Sequence, residues 1–216
     1  MRRGFIIAIV GAESTGKTTL AGELRDALAA EGREVVVVEE YLREFCDRLH
    51  RTPREDEQAH IAFEQTQRIA DAATTHDIVI ADTTALMIAV YSDTVFDDHT
   101  LDADADLAQR RCDLTLLTAL DLPWIADGHQ RDGEHVREPV DSRVRESLER
   151  AGITYSIVAG RGPSRIEAAL KAVRHALAVE RPEDEAAGNQ PKWRWVCDRC
   201  GDGDCERHVR GNPGRM

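Results

Sequence analysis

The chain has 216 residues and a formal net charge of -12 at pH 7. This length accommodates one well-buried domain with a small appendage, but it is short for two full domains. The negative charge argues against nonspecific binding to DNA, RNA or anionic lipid, because all three repel an acidic protein.

The first apolar segment, residues 5–10, predicts a buried strand. It is six residues long and leads directly into the glycine-containing loop described next, so we expect neither a signal peptide nor a membrane span. We therefore expect a cytoplasmic protein with no membrane partner.

The residues that follow this strand, 11–18, read Gly-Ala-Glu-Ser-Thr-Gly-Lys-Thr and match the phosphate-binding pattern G-x-x-x-x-G-K-T. Leu20, Leu24 and Leu28 then repeat at helical spacing, so a strand, a loop and a helix follow one another in the required order. Glycines let the backbone wrap around phosphates, and the N–H groups at the start of the helix favour an anion. The sequence therefore predicts a bound nucleoside triphosphate.

Two side chains of this loop have predicted roles of their own. Lys17 can reach the β- and γ-phosphates, and the Thr18 hydroxyl suits Mg²⁺, a hard cation that prefers oxygen ligands. The complete set of residues predicted to bind the nucleotide is Gly11, Glu13, Ser14, Thr15, Gly16, Lys17, Thr18 and Thr19.

Apolar runs typical of buried strands recur at residues 5–10, 35–38, 78–81, 114–117 and 153–159. They do not alternate with polar residues, which indicates strands that are covered on both faces. The segments between them have mostly helical patterns, such as the stripe of Val140, Val144 and Leu148, whereas the acidic residues 92–106 predict a solvated loop and a short helix. The predicted fold class is α/β: a P-loop NTPase with a five-stranded parallel sheet and helices on both faces, as in nucleoside and nucleotide kinases.

Charged residues follow the second and third predicted strands, at the sheet edge where ligands of such folds bind. Glu40, Tyr41 and Arg43 come after the second strand and are candidates for contacts with a phosphoryl acceptor. Asp82 comes after the third strand, where an aspartate either holds magnesium-bound water, accepts the proton of an attacking hydroxyl or caps the next helix. We favour a functional role for Asp82, and the sequence leaves the choice of base between Glu40 and Asp82 open.

Residues 121–137, between the fourth strand and the next helix, combine glycines with arginines and are typical of a lid over a phosphoryl-transfer site. The arginines of this segment would neutralise charge in the transition state. We expect His129 and His135 to be exposed loop residues. No guanine-reading N/T-K-x-D motif is present, which favours ATP over GTP.

The set G-x-E-S-x-G-K-T, E-Y-x-R-E, D-T and P-W-x-A-D-G-x-x-R resembles the NadR-like nicotinamide riboside kinases, within the AAA-type P-loop ATPases. The resemblance covers about residues 4–178. It implies ATP-dependent phosphorylation of the ribose 5'-hydroxyl of nicotinamide riboside or a related nucleoside. No adenylyltransferase or helix-turn-helix segment precedes the loop, so we expect no bifunctional regulator.

The resemblance also implies roles for individual residues. Lys17, Asp82 and Arg131 are the predicted catalytic residues. The predicted acceptor-binding residues are Glu40, Tyr41, Arg43, Asp82, Trp124, Asp127 and Gly128.

Cysteines and a histidine cluster near the end of the sequence, at Cys197, Cys200, Cys205 and His208. Thiolate and imidazole ligands suit tetrahedral zinc. So short a segment has too few core residues to fold without a metal ion that cross-links it. We therefore predict a zinc-knuckle-like tail with a structural Zn²⁺, the alternative being a disordered cysteine-containing tail.

These observations predict a kinase domain over residues 1–180, a polar linker over 181–191 and the Cys/His tail over 192–216. The main hypothesis is a small-molecule kinase whose partners are ATP and a nucleoside-like acceptor. The second is a regulatory ATP-binding protein that switches binding to a protein partner, contacted through the tail.

Overall fold

The computed structural model describes residues 3–125 and 134–180. Within these residues, parallel strands form a five-stranded sheet in the order β2–β3–β1–β4–β5. The strands are β1 (Phe5–Val10), β2 (Val35–Val38), β3 (Ile78–Asp82), β4 (Leu114–Thr118) and β5 (Ser156–Val158). The sheet confirms the parallel α/β architecture that the continuous apolar runs predict.

The helices fill the connections between the strands. They are α1 (Lys17–Ala30), α2 (Tyr41–Leu49), α3 (Glu55–Ala72), α4 (Ala85–Phe96), α5 (Asp102–Gln109), α6 (Arg137–Arg150) and α7 (Pro163–Glu180). None of the helices in the described ranges combines the length and apolar character that a membrane span requires.

The core lies on both faces of the sheet because successive side chains of a strand point to opposite sides. Ile7 of β1 belongs to a buried cluster that includes Leu24 of α1 and Val173 of α7. Val10 of the same strand belongs to a second cluster that includes Val144 of α6. The central strand is therefore covered from both sides, and its carboxyl end is held in a fixed position.

The last strand is shorter than its sequence predicts. The apolar run covers residues 153–159, but only Ser156–Val158 pairs with β4. The backbone N–H of Ile153 donates to the carbonyl oxygen of Leu148. The side chains of Ile153 and Tyr155 pack against the buried cluster that includes Val144 of α6. The apolar character of these two residues thus serves contact with the helix rather than pairing in the sheet.

Helix α4 is also only partly anticipated by the sequence. Residues 92–96 complete this helix instead of beginning a solvated loop, and α5 is the expected short helix. Residues 85–90 are all buried. This first half of the helix is covered on every side and has no polar face, so it lacks the periodicity by which an amphipathic helix is recognised.

Candidate functional site

The phosphate-binding loop joins β1 to α1 and depends on two glycines whose φ angles are positive, a region that other residues rarely adopt. Gly11 has φ 144°, and an added Cβ there would lie 2.2 Å from Thr118 Oγ1. Gly16 has φ 75° and is the N-cap of α1, and within residues 3–125 and 134–180 no side-chain hydrogen bond caps the helix. The N–H groups at the start of α1 are thus available for an anion, as the pattern requires.

Side chains of the loop hold its shape from inside. Thr15 Oγ1 donates to the carbonyl oxygen of Ala12 at 2.7 Å and lies 2.7 Å from Thr118 Oγ1 of β4. Lys17 Nζ donates to the same Ala12 carbonyl at 2.9 Å. The Lys17 ammonium group therefore lies over the loop, next to the place where a polyphosphate would bind.

Asp82 lies beside this loop because β3 pairs with β1, with Ile9 opposite Asp82. Thr18 Oγ1 donates to Asp82 Oδ2 at 2.6 Å, and Asp82 is only 3% exposed. Its second oxygen, Oδ1, has no hydrogen-bond partner among the described residues. The helix that follows begins after Thr84, so Asp82 is not its N-cap.

Glu40 precedes α2 at the carboxyl end of β2, and its side chain is 9% exposed. Burial raises the pKa of the Glu40 carboxyl, while Lys17 and Arg43 offset part of this rise and the negative charge of Asp82 adds to it. Arg43 Nη2 lies 3.4 Å from Glu40 Oε2. Glu40, Lys17 and Asp82 thus lie close enough to affect one another electrostatically, although they come from three strand ends.

The predicted contact residue Tyr41 is placed mainly as a packing residue. Its ring is buried with Phe45 and Ile61, and Arg68 Cζ lies 4.3 Å from the ring centroid. Its backbone N–H donates to Gln65 Oε1 at 2.8 Å, and Gln65 Nε2 donates to the Thr83 carbonyl at 3.3 Å.

Gln65 therefore ties the start of α2 to the turn after Asp82. Sequence reasoning missed this residue. The one available signal is an amide at a buried position of the apolar face of α3.

The beginning of the predicted lid lies against the phosphate-binding loop. Ser14 Oγ donates to the carbonyl oxygen of Ile125 at 2.6 Å, and Leu122 Cδ1 lies 3.0 Å from where a Cβ on Gly16 would be. Trp124, in the same segment, is half-buried.

Arg137 is the last residue of the predicted lid, but the structure places it in the first turn of α6. It is buried at the start of α6 and donates to the Leu122 carbonyl at 3.0 Å. Its Nε and Nη2 have no hydrogen-bond partner in the described part of the chain. A buried cation in this state is costly unless an anion binds beside it.

Several predicted residues lie outside the described residues. They are Asp127, Gly128 and Arg131 of the lid and Cys197, Cys200, Cys205 and His208 of the tail. Their roles stay predictions, as do the linker and tail boundaries.

The fold and the loop together define a P-loop nucleotide-binding protein. The model of the AAA domain family matches residues 6–165, which is well over half of the sequence. The chain belongs to this family. A search of curated protein sequences finds no match.

Solved structures with the same fold include two of NadR protein. One, in complex with NR, is 22% identical with a TM-score of 0.65, and the other, in complex with NAD and AMP-PNP, is 21% identical with a TM-score of 0.63. The matches cover 80% of this chain, which spans about half the length of those proteins (50% and 49%).

A thymidylate kinase from Ehrlichia chaffeensis has the same fold at 16% identity and a TM-score of 0.57, with 80% of this chain and 98% of that chain covered. The family match and these neighbours confirm the resemblance to NadR-like P-loop proteins at the level of family and fold.

Proposed function

We propose that this protein is an ATP-dependent kinase that transfers a phosphoryl group to an alcohol, most specifically to the ribose 5'-hydroxyl of nicotinamide riboside or a related nucleoside. One observation carries the proposal. Lys17, Asp82 and the buried Glu40 meet at one sheet edge, beside the start of α1, which no side chain of the described residues caps. A protein that only bound nucleotide would not need a second buried carboxylate there.

The donor side of the site is built to neutralise charge. Phosphoryl transfer depends mainly on positioning and electrostatics. The N–H groups at the start of α1 and the Lys17 ammonium supply positive potential where the triphosphate would lie. Bound Mg²⁺ would neutralise further charge on the triphosphate, and the Thr18 hydroxyl and Asp82 Oδ1 are oxygen ligands of the kind it prefers.

The two carboxylates can divide the remaining work between them. Asp82 already accepts a hydrogen bond from the Thr18 hydroxyl. This favours a role for Asp82 in orienting that hydroxyl where the phosphoryl donor would bind. Glu40 has a raised pKa through burial, which makes it the better proton acceptor for the attacking hydroxyl. We therefore propose that Glu40 accepts the proton of the attacking hydroxyl and that Asp82 orients the Thr18 hydroxyl next to the triphosphate.

The nucleoside acceptor rests on the family resemblance. The similar NadR structure is a complex with NR, and the thymidylate kinase has the same fold. Arg43 next to Glu40 and the half-buried Trp124 are the described side chains that support an acceptor pocket. Asp127, Gly128 and Arg131 complete the proposed contacts.

The direct test is ADP release from magnesium-ATP with a panel of nucleosides that includes nicotinamide riboside. We expect turnover that depends on one nucleoside of the panel, with the phosphorylated product identified by mass spectrometry. ATP binding without acceptor-dependent turnover would instead favour the regulatory ATP-binding protein.

The Asp82→Asn variant tests the donor side of the site. We expect kcat to fall by roughly 10²-fold or more, because the carboxylate charge is lost at the transferring group, while ATP binding persists. Asp77→Asn, an exposed aspartate just before the same strand, is the matched control and should keep full activity. Full activity of Asp82→Asn would remove Asp82 from the mechanism.

A further inference from the structure

Arg165, in the first turn of α7, connects three loops at the carboxyl edge of the sheet. The residue is 5% exposed, and its Nη2 donates to the carbonyl oxygen of Thr15 in the phosphate-binding loop at 2.6 Å. Its Nη1 donates to the Gly160 carbonyl at 3.1 Å and to Asp121 Oδ1 at 3.2 Å. One buried guanidinium thus joins the segments that follow β1, β4 and β5.

The anchor is itself held in place. The Gly160 N–H donates to Asp121 Oδ2 at 2.5 Å, so Asp121 binds both the arginine and the loop after β5. Burial acts to raise the pKa of Asp121, but the Gly160 N–H and Arg165 outweigh it and keep that pKa below its usual value. The carboxylate therefore stays ionised at neutral pH and balances the buried charge of Arg165.

The contact with Thr15 has a directional consequence. The Thr15 carbonyl and the Gly16 N–H belong to the same peptide unit, and in a trans peptide these two groups point in opposite directions. Holding the carbonyl oxygen towards Arg165 therefore turns the Gly16 N–H away from it. Gly16 is the N-cap of α1, at the position where phosphate oxygens bind in loops of this kind.

We propose that Arg165 is a positioning residue for phosphate binding, which fixes the Thr15–Gly16 peptide so that the Gly16 N–H faces the polyphosphate. This inference rests on the proposed binding of ATP by the loop. It adds a residue that touches neither nucleotide nor acceptor and acts through the backbone. A pre-set amide binds phosphate without first having to reorient, so removing the anchor weakens binding of the phosphates.

The test compares two probes, magnesium-ATP and magnesium tripolyphosphate, whose dissociation constants are measured by calorimetry on the full chain. Arg165→Met should weaken both probes by the same factor, roughly tenfold or more, because the lost hydrogen bond is to a charged group. The KM of the acceptor at saturating ATP should stay within about twofold of the wild-type value. An equal loss on both probes identifies the phosphate-binding loop, since tripolyphosphate has no base or ribose.

Arg174→Met is the matched control. Arg174 lies on the same helix but is exposed and pairs with Glu31, so its removal should leave both dissociation constants unchanged. Melting temperatures without ligand show whether each variant is folded. If Arg165→Met does not fold, the same binding measurements are made on Arg165→Lys and Asp121→Asn. Each of these keeps a polar group in place and removes only part of the contacts that hold Arg165.

Two results would overturn the inference. One is wild-type affinity for both probes in every folded variant at Arg165 and Asp121. The other is weaker binding of ATP with unchanged binding of tripolyphosphate, which would place the effect at the base or ribose. A wild-type protein that binds neither probe would overturn the proposed function itself, so the two failures are distinguishable.

Discussion

At Gly11 the backbone conformation and the neighbouring strand exclude any side chain. Its φ of 144° is strained for other residues, and an added Cβ would lie 2.2 Å from Thr118 Oγ1 and 3.1 Å from the Thr118 carbonyl oxygen. Gly11→Ala must therefore displace either β4 or the loop itself. We expect a lower melting temperature and at least a tenfold weaker binding of magnesium-ATP, measured by calorimetry.

Gly22→Ala is the matched control for this substitution. Gly22 lies inside α1, and a Cβ there would meet no atom of the described residues within 4 Å. Alanine in a helix interior is more favourable than glycine, so this variant should gain about 0.5–1 kcal/mol in the free energy of unfolding. Equal behaviour of the two variants would contradict the role given to Gly11.

Glu40 predicts a pH dependence of stability with a defined sign. Because burial raises its pKa in the folded protein above the ordinary 4.5, the folded state binds the proton more tightly than the unfolded chain does. Its contribution to stability is complete below the ordinary pKa and is lost as pH rises through the raised value. The free energy of unfolding, measured with urea at a series of pH values, should therefore fall less steeply over this window in Glu40→Gln than in the wild type.

The same residue affects the pH profile of activity. If Glu40 accepts the proton of the attacking hydroxyl, kcat should rise as pH passes upward through its raised pKa, and Glu40→Gln should lose most of the activity. A variant that keeps both its activity and the wild-type pH profile would assign the proton to another group.

At the scale of elements, the start of α3 is stabilised by one carboxylate. Glu57 accepts the backbone N–H of Arg54 at 2.8 Å and binds both terminal nitrogens of Arg51 at 2.7 and 2.6 Å. The hydrogen bond from Arg51 and that from the Arg54 backbone lower the pKa of Glu57 to about 2. This contribution to stability is therefore present above pH 4.5 and lost as pH falls towards 2.

Glu57→Gln should accordingly lower the melting temperature at pH 7, with a difference from the wild type that shrinks on acidification. Thermal unfolding followed by circular dichroism measures it. Glu55→Gln, an exposed residue of the same first turn, removes a similar charge near the helix dipole and should cost less. A cost that is equal for both variants would indicate a general charge effect instead of a cap.

At the scale of the whole molecule, the site is assembled from the ends of separate strands. The order β2–β3–β1–β4–β5 puts the strand that precedes the phosphate-binding loop in the centre, with Asp82 on the neighbouring strand and Glu40 on the next. The loop after β4 and the first turn of α7 reach the other side of the phosphate-binding loop through Leu122 and Arg165. The parallel topology therefore brings residues distant in sequence to one edge.

The Cys/His tail gives the remaining prediction, which the described residues do not test. We expect about one bound zinc per chain by atomic emission, lost on deletion of residues 192–216 or in Cys197→Ser. Cys112→Ser is the control, because Cys112 is a half-buried cysteine of the P-loop domain, outside the tail. Zinc that survives the deletion would place the metal elsewhere in the chain.

The sequence alone was sufficient for the phosphate-binding loop, the number of strands and most of their bounds. A contiguous motif and a continuous apolar run are local properties, and each needs only neighbouring residues to be recognised. The bounds of β5 and α4 were not predictable in this way. Ile153 packs against the buried cluster that includes Val144 of α6, and residues 85–90 of α4 are buried on every side, so neither segment shows a pattern that separates it from alternatives.

Only the tertiary structure decided which polar residues support the segments around the candidate site. Gln65, Arg137 and Arg165 lie on three different helices, and nothing in their local sequence distinguishes them from other buried amides or arginines. Their importance comes from the carbonyl groups that they reach, Thr83, Leu122 and Thr15, which belong to distant segments. Such contacts exist only once the chain has folded, because the strand order determines which loops lie within reach of each helix.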